Sequence, residues 1–124
     1  APDPIAPASL LWRIIYQVVA QYQKQYPAFR VVRHEDLSVE PQEGYRALYQ
    51  HLGLNYTSRA QQTILNSSSS ENPKEGSQKN IYATRLDSQA NLHNWKKRLS
   101  VEEITLIRQL TEEVAAHYYP DLNW

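Results

Sequence analysis

The segment Phe29 to Val32 is the feature of this sequence that most restricts its fold. It is short, apolar and β-branched, and Arg33-His34-Glu35-Asp36 follow it, so it reads as a strand over 29–33 running into a polar turn. Near-continuous apolar character suits a strand covered on both faces, as in a parallel sheet. A lone strand leaves N–H and C=O groups open along both edges, which is costly when they are buried. The strand must therefore pair by dimerising with a second copy, with a weak strand near 81–86, or with a sheet in further polypeptide. The last option suits a two-faced strand best.

Everything else with a clear period reads as helix. Pro2, Pro4 and Pro7 make residues 1–8 an irregular lead-in, and Ser9 reads as the N-cap of a first helix. Leu11, Ile14, Ile15, Val18, Val19 and Tyr22 give it one broad apolar face, and Pro27 stops it. Pro41 opens a second helix with Tyr45, Leu48, Tyr49 and Leu52 inward and Gly53 as its natural end. A third begins at Thr57 or Ser58, with Ser58 and Gln61 at capping-box spacing, and runs to about Leu65. Residues 66–80 form a long polar loop. Ser100 and Glu103 cap a final helix carrying Ile104, Ile107, Leu110, Val114 and Tyr118 on one side, ended by Pro120.

Composition removes several classes of function. Thirteen basic residues balance thirteen acidic ones, so no global field draws the chain to nucleic acid or to an anionic membrane. With no cysteine there is neither a disulfide framework nor a thiolate metal site, which is compatible with a cytoplasmic location. No apolar run spans a bilayer and no signal peptide opens the chain. Methionine is absent even at position 1, as after removal of an initiator or excision from a longer chain. His34, His51, His93 and His117 lack the spacing of a helical zinc pair, and no Walker-type, nucleophile-elbow or dinucleotide-binding glycine motif is present.

Three segments retain chemical interest. The polar cluster from Arg33 to Asp36 lies where ligands bind in open α/β sheets, beyond a strand's carboxyl end, although Glu35 and Asp36 serve equally well to cap a turn. The serine run Ser67 to Ser70 can line a nucleotide pocket or simply be solvated. The segment Asp87 to Leu99 concentrates Lys96-Lys97-Arg98 just after Trp95, and these cations can attract phosphate or sulfate or form an ordinary charged face. One short basic run on a neutral chain is too little for nucleic-acid binding.

In that order along the chain, VRHEDLSVEP (Val32 to Pro41), LYQHLGL (Leu48 to Leu54), NWKKRLSVEE (Asn94 to Glu103) and Tyr119-Pro120-Asp121 with Trp124 resemble the C-terminal portion of sulfotransferases that use 3′-phosphoadenosine 5′-phosphosulfate (PAPS). The resemblance covers nearly the whole chain. It implies a mostly α segment, with about four helices and one short strand, from the end of an α/β P-loop-like fold. Residues 9–124 would be the C-terminal subdomain. The family transfers a sulfuryl group from PAPS to a hydroxyl or amine of a small-molecule or carbohydrate acceptor.

No stretch matches the family's phosphosulfate-binding loop, so the resemblance implies a chain that is inactive alone and has the N-terminal part of the same enzyme as its partner. It supplies no catalytic residue, only one side of the pocket for PAPS or adenosine 3′,5′-bisphosphate. His34 falls where the family touches adenine, and Ser68 and Ser69 fall near a second adenine wall. The segment before Trp95 corresponds to a loop gripping the 3′-phosphate. Many members have Arg-Lys-Gly where this chain has Ser88, Gln89 and Ala90, which leaves that contact to Arg85, Ser88, Gln89 or Lys96. The alternative is a non-catalytic helical protein-interaction module.

Overall fold

Residues 29–33 form no strand. In the computed structural model, which describes residues 2–80 and 82–121, no strand occurs among the described residues. The expectation for Trp124, and the first residue of the weak strand at 81–86, lie outside them. The helices are α1 (Ile5–Gln25), α2 (His34–Val39), α3 (Pro41–His51), α4 (Ser58–Ser68), α5 (Ser88–Asn91), α6 (Asn94–Arg98) and α7 (Val101–Tyr118). The described chain is thus all-helical, and the expected four helices with one strand of an α/β fold is corrected.

Local bonding explains why. The Phe29 N–H donates to the Tyr26 carbonyl at 2.8 Å, and its ring stands edge-on to Tyr22 at 6.1 Å. That closes a turn off the end of α1. Arg33 is already the N-cap of α2. Only residues 30–32 remain between the two, too few for a ladder. Phe29 belongs to a helix exit, not to a sheet.

The chain divides into two units, residues 1–31 with 98–124 and residues 32–97. In the first, α1 starts at Ile5, inside the stretch expected to be irregular. Pro7 falls in the first turn, where a helix N–H has no partner anyway. Asp3, not Ser9, opens the helix: its carboxylate accepts from the Ile5 N–H at 3.0 Å.

The face that α1 turns to α7 is not its most apolar one. Arg13 donates to Glu113 at 2.8 Å, and the Tyr118 hydroxyl donates to the Tyr16 carbonyl at 2.7 Å. The Tyr16 and Tyr118 rings meet edge-on at 5.7 Å, and Trp12 lies 4.7 Å from Tyr16. Burial pushes the Tyr118 hydroxyl above its usual pKa, with Tyr16 adding to the effect, so it stays a donor. Opposite them, Thr111, Val114 and Ala115 are buried on α7. Leu11, Ile14, Ile15, Val18 and Tyr22 are left between 40% and 61% exposed. Periodicity identifies which face of a helix is apolar, but not which neighbour covers it.

In the second unit, α3 starts with Pro41 as expected. It ends in a Schellman motif: the Gly53 N–H bonds Gln50 O at 3.1 Å and the Leu54 N–H bonds Tyr49 O at 2.9 Å. Gly53 takes the left-handed φ of 68° that this cap requires. At Gly44, a Cβ would come within 3.0 Å of Leu37 Cδ2, so a glycine there lets α3 approach α2 closely. The cap of α4 is Thr57, whose hydroxyl accepts from the Ala60 N–H at 3.2 Å. The helix continues past Leu65 to Ser68. Ser67 and Ser68 turn their hydroxyls back onto the carbonyls of Thr63 and Ile64, at 2.8 and 2.6 Å.

The capping box of α7 forms as its sequence indicates. Ser100 Oγ accepts from the Glu103 N–H at 3.1 Å, and the Glu103 carboxylate accepts from the Ser100 N–H at 2.7 Å. Replacing Ser100 by Ala removes this cap and should cost about 1 kcal/mol, read as a lower urea midpoint at unchanged slope.

Candidate functional site

The last carbonyls of a helix have no partner within it. At the end of α2 they are satisfied from α5. Ser88 Oγ donates to Ser38 O at 2.8 Å, with Ser68 O a longer second acceptor at 3.3 Å. Gln89 Nε2 donates to Val39 O at 2.8 Å. Asp87, 9% exposed, caps α5 by accepting from the Ala90 N–H at 3.0 Å. These residues bring the ends of α2 and α4 and the start of α5 together.

The long loop before α5 is tied down in the same way. Asn72 Nδ2 donates to Asn66 O at 2.7 Å, and the Asp87 N–H donates to Pro73 O at 2.9 Å. Asn94, 5% exposed, donates to Lys74 O at 2.8 Å and to Asn91 Oδ1 at 3.0 Å. Its side-chain amide thereby anchors the middle of the loop.

Two open clefts flank this junction. The larger, about 480 Å³, is lined by Gln42, Asn66, Ser68, Ser69, Ser70, Asp87, Ser88 and Gln89 over Pro41 and Leu65. The smaller, about 340 Å³, is more apolar, with His34, Leu37, Tyr45, Tyr49 and Ile64 on its walls. Ser68 and Ser88 border both. Of the residues singled out from the sequence, Ser68, Ser69, Ser88 and Gln89 meet at the first cleft, and His34 joins Ser68 and Ser88 at the second. Arg85 and Lys96 line neither. Lys96 instead holds its ammonium 5.3 Å from the Trp95 ring centroid.

The chemistry of the larger cleft is not that of an anion cradle. Among the described residues its one charged lining residue is Asp87, a carboxylate. One of the two Gln89 amide protons and the hydroxyl proton of Ser88 are committed to backbone carbonyls. What remains is hydroxyl and amide functionality suited to an uncharged polar group. The smaller cleft offers aromatic and aliphatic walls, with the His34 imidazole 3.3 Å from Ser38 Oγ. Gln42 is not among the residues the sequence singles out, and Asp87 is so only as the first residue of the segment Asp87 to Leu99. Asp87 three residues before Ala90 carries an N-cap signal, whereas Gln42 reaches the site only through the packing of α3 on α4.

At the start of α2, Arg33 grips Asp36 with two nitrogens, at 2.9 and 2.8 Å. This hydrogen bonding, aided by the guanidinium charge, holds the Asp36 carboxyl below its usual pKa.

No known family profile matches the chain, and no solved structure matches it. It is similar to carbohydrate sulfotransferase 1 of Danio rerio, at 30% identity over 96 residues, which is 77% of this chain and 21% of the relative. The chain spans about a fifth of the length of that relative. This similarity supports a relationship to sulfotransferases.

Two outcomes follow from the geometry. Ser88→Ala leaves the Ser38 carbonyl without its donor and should destabilise the second unit by about 1 kcal/mol, measured by hydrogen exchange of the α2 and α5 amides. A group whose folded pKa is depressed adds stability above its unfolded pKa and loses it as pH falls through the folded value. Acid titration of unfolding should therefore show a loss in the acidic range that is shallower in Asp36→Asn. The effect is small, because the Asp36 side chain is 61% exposed.

Proposed function

We propose that this chain is the C-terminal part of a PAPS-dependent sulfotransferase and contributes a wall of the nucleotide pocket that carries no cation. The observation that carries this reading is the similarity to a sulfotransferase over 96 residues. The meeting of Ser68, Ser69, Ser88 and Gln89 at one cleft, with His34 beside it, supports it further. On this reading the clefts hold the base and ribose side of PAPS, and the cations that neutralise its phosphates and sulfate come from other polypeptide. The acceptor is a hydroxyl or amine, on a carbohydrate if it follows the relative's name. The partner is the N-terminal part of the same enzyme, and the exposed apolar face of α1 is consistent with such a covering.

That same face favours a second reading, a non-catalytic helical module that binds another protein. Titration of adenosine 3′,5′-bisphosphate into the chain, followed by amide NMR, separates the two. The first reading expects weak binding with shifts centred on His34, Tyr49, Ile64, Ser68 and Ser88, and adenosine within a few-fold of the bisphosphate. Shifts confined to Lys96, Lys97 and Arg98, or none in either cleft, would sink it. The chain alone should transfer no sulfuryl group from PAPS.

A further inference from the structure

The turn between α3 and α4 carries a pattern that the clefts do not use. Asn55-Tyr56-Thr57 fits the Asn-X-Ser/Thr acceptor pattern for asparagine-linked oligosaccharide, and so does Asn66-Ser67-Ser68. The pattern is common by chance, and the surroundings of the two asparagines separate them.

Asn55 is exposed, and its side-chain amide has no partner among the described residues. The Thr57 N–H bonds the Asn55 carbonyl at 3.1 Å, folding the backbone tightly at Tyr56. Tyr56 is the anchor. Its hydroxyl donates to Gln42 Oε1 at 2.9 Å, its ring stands edge-on to Tyr49 at 5.3 Å, and the Arg46 guanidinium lies 5.6 Å from its centroid. The middle residue thus points into the protein while Asn55 and Thr57 stay in solvent. Thr57 Oγ1 accepts the cap bond from Ala60, which leaves its hydroxyl proton to donate outward.

Asn66 is held differently. It sits inside α4, where residues two apart do not face each other. Its Oδ1 accepts from Gln62 at 3.0 Å, and the Ser68 hydroxyl is turned back onto Ile64 O at 2.6 Å.

We propose that Asn55 is a site of N-linked glycosylation and that Asn66 is not. In the transfer, Asn55 Nδ2 forms a bond to C1 of the first sugar of an oligosaccharide carried on a lipid diphosphate. The C1–O bond to the diphosphate breaks, its electron pair leaves with the lipid diphosphate, and Nδ2 gives up one proton. No electron carrier is needed. The modification places the turn between α3 and α4 in a lumenal or extracellular compartment, in contrast to the cytoplasmic expectation drawn from composition.

The test is the full chain isolated from the cells that make it, treated with a peptide amidase that removes N-linked glycans and converts the carrier Asn to Asp. The expected result is a drop in mass, with Asp found at position 55 and Asn retained at 66. Asn55→Gln should abolish the drop without changing thermal stability, since the amide bonds nothing. Thr57→Ser should keep the glycan, and Asn66→Gln should leave it unchanged. A chain without glycan, or one carrying it at Asn66, overturns the assignment.

Discussion

Backbone carbonyls at the end of a six-residue helix organise the second unit. α2 is too short to stand in water on its own hydrogen bonds, because helix nucleation is unfavourable and few bonds follow it. Ser88 and Gln89 take up its terminal carbonyls from a segment fifty residues away in sequence. Asp87 then caps the short helix on which those two donors sit. Each short element is therefore completed by another, and the clefts lie on either side of the junction where α2, α4 and α5 meet.

The same economy limits what the site can bind. Polar side chains that face a cleft look available in a sequence, but a side chain has few protons to give. Ser88 gives its hydroxyl proton, and Gln89 one of its two amide protons, to the protein itself. The cleft beside them keeps the hydroxyls of Ser69 and Ser70, side-chain amides and one carboxylate.

Local signals were legible in the sequence where a few neighbouring residues suffice to make them. Pro41, Gly53 and the Ser100–Glu103 pair act where their spacing places them, and so does the apolar stripe of α7. The failures share a cause. Phe29 closes a turn off the end of α1, which no period of two residues encodes. The apolar face read for α1 is not the one bonded to α7: Arg13 and Tyr16 bond α7 while the more apolar stripe stays exposed. At the site, five of the residues expected from resemblance line the clefts, whereas Arg85 and Lys96 do not. Distance in space from those clefts is not written in a motif's order.

The division of the chain also orders its folding. Hydrogen bonds that build the second unit join residues at most fifty apart, whereas α1 and α7 meet through contacts about a hundred residues apart. Closing a loop costs entropy that grows with its length, and contacts close in sequence form sooner. The segment from 32 to 97 can collapse first and act as a compact insert, shortening the effective loop that α1 and α7 must close. On that pathway the pairing of Tyr16 with Tyr118 belongs to a late step, and weakening it speeds unfolding more than it slows folding.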